Sequence, residues 1–319
     1  MRRAGVSVPV LAVAGHLGAG KTTLLNHLLR NGSGARIGAL VNDFGAVNID
    51  AMLVAGQVDA MAALTNGCIC CVTDDGEVAE MLGKLAAVKP RLDLIVVEAS
   101  GIAEPPALAR TIMAVDNNRF HYAGLVLVVD AVAPTGLEHG ARVADLIVLN
   151  KVSVAEDLVT VRQAVRALNP VAPIVPTDFA KVDPRLLIDP APRPLRAQMS
   201  FDELLHDEHH HDDHEHPAYQ SIEFPCDTPL NPRLFMNLLR DRPQGLYRAK
   251  GFVDFGPAHR YLLQLVGGSV RFERTRRAGT ELVFIGTEID TDALQSALDE
   301  CVRVPADEQG ILGVLKFVV

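Results

Sequence analysis

Apolar and polar positions along the chain follow one rhythm up to about residue 180 and another after residue 218. In the first stretch, Val8, Val10, Leu11 and Val13 form an apolar run that predicts a buried strand. The segment KTTLLNHLLR follows, with Leu24, Leu25, Leu28 and Leu29 on one face at helical spacing, and predicts a helix. The runs LDLIVVEASG (apolar from Leu92 to Val97), YAGLVLVVDA and ADLIVLNK predict further strands, with helices over DDGEVAEMLGKLAAVK, EPPALARTIMAV and AEDLVTVRQAVRAL. Strands alternating with helices indicate an α/β fold with a doubly wound, mostly parallel sheet. A ligand of such a sheet belongs at the carboxyl ends of its strands.

The pattern breaks at the proline-rich DPAPRPLRAQ and at HDEHHHDDHEH, which read together as a linker. Beyond it, YQSIEFPC, GLYRAKGFVDFG, RYLLQLVG, SVRFERTR and ELVFIGTEI are strand-like, while NPRLFMNLLRDR and TDALQSALDEC are helical. That order predicts a smaller α+β unit with an antiparallel sheet. The expected division is therefore 1–185, a linker over 186–217, and 218–319. No internal repeat is evident.

Composition narrows the function classes. A chain of 319 residues can bury a sizeable core, and its formal net charge of −9 provides no overall basic field. Nucleic acid and anionic membrane are thereby disfavoured as partners, and no apolar run approaches the ~18 residues needed to cross a bilayer. The opening MRRAGVSVPVLAVAG imitates a signal peptide, but cleavage near Ala14 would separate the glycine loop that follows from its strand. A cytoplasmic location is the expectation.

That loop, GHLGAGKTT, fits the pattern G-x-x-x-x-G-K-[ST] without mismatch and stands between a strand and a helix, as the pattern requires. Backbone N–H groups across Gly15, Gly18, Ala19 and Gly20 form an anion nest, with Thr23 in the first helical turn. Lys21 would reach the β- and γ-phosphates, and the Thr22 hydroxyl would ligate Mg²⁺. Downstream, an apolar strand ends on Glu98 with Gly101 three residues on, the arrangement expected of a second Mg²⁺-side strand and a γ-phosphate-sensing turn. A buried strand with a solvated glutamate at its tip is the alternative. Asn150-Lys151 after another strand reads as the start of a guanine-recognition loop.

Taken together, GHLGAGKTT, NDFGAVNID, NGCICC, EASG, NK, YRAKGF and ELVFIGTEID resemble the CobW-type metallochaperone GTPases, relatives of the urease- and hydrogenase-maturation GTPases. The resemblance covers nearly the whole chain. It implies GTP binding and slow GTP hydrolysis, with nucleotide state controlling a transition-metal site that serves a client metalloprotein. It leaves a homodimer open. Two positions depart from the family pattern. Ser153 stands where an aspartate would accept two hydrogen bonds from the guanine edge, with Glu156 and Asp157 as nearby candidates to replace it. Asp43 stands where the switch segment commonly has glutamate; as a metal-side ligand or in orienting water, it joins Lys21 and Glu98 as a candidate catalytic residue. Asp50 is a further switch-segment carboxylate.

Cys68, Cys70 and Cys71 in NGCICCV are the candidate metal site. A disulfide is disfavoured in the cytosol, and a bridge between adjacent Cys70 and Cys71 would be strained. A redox pair remains open, because Cys68 and Cys71 have Cys-x-x-Cys spacing. Three thiolates so close can instead hold Zn²⁺, Co²⁺ or Cu⁺ and leave a fourth position open, which suits delivery. Cys226 and Cys301 read as buried apolar residues. From composition, the tract from His206 to His216 reads equally as a solvated linker or a weak chelator of divalent ions. The resemblance tips it toward weak metal binding, with His209, His210 and His211 as ligands. Two readings of other classes stay open: a P-loop ATPase or small-molecule kinase with an incidental cysteine cluster, and a metal buffer indifferent to nucleotide.

Overall fold

A computed structural model of the chain describes residues 7–32, 34–41, 60–63, 75–99, 105–115, 119–188, 219–305 and 309–318. Seven strands form the first sheet: β1 (Val8–Ala14), β2 (Ile37–Val41), β3 (Ala60–Ala63), β4 (Leu94–Glu98), β5 (Phe120–Asp130), β6 (Leu146–Asn150) and β7 (Ile174–Thr177). Their order is β3-β2-β4-β1-β5-β6-β7, and every pairing is parallel. All the residues of β2, β4 and β6 are buried, as strands covered by helices on both faces require. The longer helices among the described residues are α1 (Lys21–Asn31), α2 (Asp75–Ala86), α3 (Pro105–Ala114) and α4 (Leu158–Leu168). Alternate side chains of β1 enter opposite cores: Val10 and Ala12 join Leu82, Leu108 and Ile112 on one face, and Leu11 and Val13 join Leu24, Leu25 and Leu28 on the other. The chain order reverses about β1, between β4 and β5, so a crevice opens at the carboxyl end of β1, where the glycine loop starts.

The second sheet is antiparallel, in the order β11-β10-β9-β12-β8, with β8 (Gln220–Cys226), β9 (Leu246–Asp254), β10 (Arg260–Val266), β11 (Ser269–Arg274) and β12 (Thr280–Gly286). Helices α5 (Pro232–Asp241) and α6 (Thr291–Arg303) cover one face. Each begins on a side-chain cap, Asn231 accepting from Leu234 N and Asp290 from Ala293 N. The core beneath them is aromatic, Phe255 meeting Phe235 and Phe272 edge-on.

The two sheets are joined by packing and by polar contacts. Tyr247 of β9 is fully buried within the α1-side core of the first sheet. Asp145, just before β6, accepts from Leu125 N at 2.9 Å and from Gly268 N, in the β10–β11 turn, at 2.7 Å. Burial holds this carboxyl above the ordinary carboxylate range, opposed by the two backbone N–H groups, Arg242 and Tyr122.

Candidate functional site

The glycine loop runs from the end of β1 to the first residue of α1, with Gly15, Gly18 and Gly20 all at positive φ (147°, 78° and 112°). These angles let the loop turn tightly ahead of the positive end of the α1 dipole, and within it Ala19 N donates to His16 O at 3.2 Å. A Cβ at Gly20 would lie 2.4 Å from Asn150 Nδ2, so position 20 has neither the backbone freedom nor the space for another residue. Ala19 is buried, and Thr23 is exposed in the first turn of the helix.

Lys21 is 7% exposed, and its Nζ donates to Gly15 O at 2.9 Å and His16 O at 3.1 Å. Burial lowers its pKa, and Glu98 opposes that shift. The ammonium is thus partly desolvated and hydrogen-bonded to two neutral carbonyls, a state in which phosphate oxygens are stronger acceptors. Glu98 ends β4 directly beside β1, in register with Val13. Its Oε1 accepts from Thr22 Oγ1 at 2.6 Å. A hydroxyl and a carboxylate, both hard oxygen donors, so meet at the mouth of the loop and suit Mg²⁺. The sequence separates them by 76 residues; parallel pairing of β1 with β4 brings them together.

Asn150 ends β6 and is buried. Its Nδ2 donates to Ala19 O at 2.9 Å and its Oδ1 accepts from Ala180 N at 2.9 Å, tying the glycine loop to the loop after β7. Lys151 sits at φ 64° and pairs with Asp130 Oδ2 at 2.5 Å. Desolvation works against the ionised Asp130, but Lys151 and the N–H groups of Val132 and Ala133 outweigh it and hold the carboxyl below its ordinary value.

Ser153 has a partner that the sequence does not suggest. Its N and Oγ both donate to Asp178 Oδ1, at 3.1 Å and 2.9 Å. The available signal was a short one, the TDFA that follows the apolar run of β7. Asp157, considered above as a substitute acceptor, instead caps α4 by accepting from Thr160 N.

Asp43, Asp50, Gly101, Cys68, Cys70, Cys71 and His206 to His216 lie outside the described residues. Among the described residues no group of three histidines, cysteines or carboxylates could hold a metal. Cys301 is buried as expected, its thiol pushed up to about 12 by burial and by Glu300. Cys226 departs from expectation: it is half-buried at the end of β8, an outer strand of its sheet, and its thiol donates to Thr228 O. Among the described residues no helix is long and apolar enough to cross a membrane.

Relatives match most of the chain. The zinc chaperone YjiA of Escherichia coli (strain K12) is 28% identical over 91% of this chain and 97% of its own length. The zinc chaperone CobW of a Sinorhizobium species is 28% identical over 91% and 96%. The zinc-regulated GTPase metalloprotein activator 1 of Schizosaccharomyces pombe is 33% identical over 55% of this chain and 47% of its own. Among solved structures, the Zn(II)-bound YjiA GTPase from E. coli aligns over 93% of this chain and 99% of its own, at 22% identity and a TM-score of 0.44. The model of the cobalamin synthesis protein cobW C-terminal domain matches residues 219–302. The model of the CobW/HypB/UreG nucleotide-binding domain matches residues 9–176, over half of the chain, and the protein belongs to that family.

Proposed function

We propose that this protein binds and slowly hydrolyses GTP, and that the nucleotide state governs its uptake of a transition metal and the transfer of that metal to a client metalloprotein. The observation that carries the reading is the convergence of Lys21, the Thr22–Glu98 pair and Asn150 on one glycine loop, in a chain of the CobW/HypB/UreG family. Lys21 exchanges two neutral carbonyl acceptors for phosphate oxygens, which its partly desolvated ammonium binds more strongly. Glu98 holds the Thr22 proton and leaves the hydroxyl's lone pairs for Mg²⁺. Once bound, Mg²⁺ supplies positive charge to the β- and γ-phosphate oxygens. Asp43 and Gly101 complete the phosphate side of the site in this reading.

The cargo is Zn²⁺ or Co²⁺, carried by Cys68, Cys70 and Cys71, with His209, His210 and His211 as a weak reservoir. The names of the relatives favour zinc. The working unit is cytoplasmic, divided at the 186–217 linker, and its oligomeric form includes a homodimer as an option.

Between the switch segment at Asn42–Asp50 and the phosphate side at Glu98–Gly101, the cysteines are placed in sequence so that γ-phosphate contacts would order their loop. Co²⁺ titration with a GTP analogue, with GDP and without nucleotide tests the reading. Affinity should rise ~5- to 150-fold with the analogue, and the thiolate charge-transfer band should vanish when the cysteines are replaced by serine. Equal affinity in all three nucleotide states would refute nucleotide control. Loss of binding only on deletion of residues 206–216 would move the metal to the histidine tract.

A further inference from the structure

We infer that Asp178, on the loop after β7, is the residue that selects guanine, supplying the carboxylate that Ser153 does not. This rests on the GTP reading above and names the group that enforces it. The Watson–Crick edge of guanine offers two adjacent donors, N1–H and N2–H, whereas adenine offers an acceptor at N1 beside a donor at N6. Only an acceptor pair such as a carboxylate complements the first pattern and opposes the second.

The geometry places Asp178 where that acceptor is needed. β6 and β7 run parallel with Asn150 in register with Thr177, so the two loops leave the sheet side by side at its carboxyl edge. Asn150 joins both loops to the glycine loop through Ala180 N and Ala19 O, which sets the distance from phosphate subsite to base subsite. Asp178 is half-buried two residues before Ala180, and Ser153 orients it from the opposite loop with a backbone and a hydroxyl donor, both on Oδ1. An ionised carboxylate has about four acceptor sites. Two are taken by Ser153, and Oδ2 accepts no hydrogen bond among the described residues, so it retains capacity for the two guanine donors. Phe179 beside it is 75% exposed at φ 54°, presenting an aromatic face on which a purine can stack. The carboxylate and the hydroxyl have thus exchanged loops: the acid comes from β7 and the serine that steadies it from β6.

An Asp178 that served only to staple Ser153 would behave differently from one that reads the base, and Asp178→Asn separates the two roles. The amide oxygen can still accept from Ser153, but its NH₂ turns a donor toward guanine and suits the C2 carbonyl of xanthine. Affinities of the full chain with Mg²⁺ for GTP, ATP and XTP are measured by calorimetry. In Asp178→Asn, GTP should weaken on the order of 10- to 100-fold, ATP should stay within about twofold, and XTP should tighten relative to the native chain. A variant that keeps the native GTP-to-ATP ratio without gaining XTP overturns the assignment and leaves the GTP reading standing. Equal loss of all three nucleotides also overturns it, by showing a structural staple. A native chain that binds ATP as tightly as GTP removes the guanine reading itself, and this assignment with it.

Discussion

Replacing Asn150 by alanine removes a side chain that ties the glycine loop to the loop after β7. Asn150 is 3% exposed, and its donor and acceptor face an acceptor and a donor, so its amide orientation is determined by its partners. Truncation leaves the Ala180 N–H, on a fully buried residue, without its acceptor, which costs about 1–3 kcal/mol. Loss of the bond to Ala19 O removes a further ~0.5–1.5 kcal/mol. Together these give about 1.5–4.5 kcal/mol, a large share of the ~5–15 kcal/mol typical of a folded domain. Urea unfolding followed by far-UV circular dichroism measures the loss as a lowered midpoint. Because both loops shift, GTP and ATP should weaken together by roughly tenfold or more, unlike the selective change expected at Asp178. A midpoint change worth less than about 0.5 kcal/mol, with Mg-nucleotide affinity unchanged, would refute the idea that this bridge organises the site.

Lys21→Ala should lower Mg-nucleotide affinity about 100-fold, measured by calorimetry, while circular dichroism and the unfolding midpoint of the nucleotide-free chain stay near native, because among the described residues the side chain hydrogen-bonds two loop carbonyls. Asp145 gives a pH dependence: its folded-state pKa lies above the unfolded value of ~3.9, so the folded state binds the extra proton and native stability falls as pH rises through that window. Urea midpoints at pH 4, 5, 6 and 7 should show the native chain losing stability relative to Asp145→Asn as pH rises; a constant difference would count against a raised carboxyl there.

The glycine loop, its strand and its helix were legible in the sequence because their determinants are local. Gly15, Gly18 and Gly20 permit the positive φ angles, Lys21 and Thr22 follow at once, and Leu24, Leu25, Leu28 and Leu29 bury one helix face. The same holds for β4 to β6, whose continuous apolar runs mark strands buried on both faces, and for the alternating strands of the second sheet. Cys226 is half-buried and not buried as its apolar surroundings in sequence suggest, because a cysteine's burial depends on strand order and β8 is an outer strand of its sheet.

Sequence alone therefore determined many of the elements and which loop has the phosphate-binding pattern, since hydrophobic period and backbone freedom act within a few residues, whereas the short strands β2, β3 and β7 emerged only with the sheet they pair in. Tertiary structure decided which polar groups meet. Thr22 finds Glu98 because β4 pairs with β1, Asn150 reaches Ala19 across 131 residues, and Ser153 meets Asp178 because β7 lies beside β6. Asp145 closes onto Gly268 only because the β10–β11 turn docks on the first sheet. Such contacts depend on strand order and register, which no local pattern encodes, because a buried polar group must be satisfied by whatever the fold brings to it.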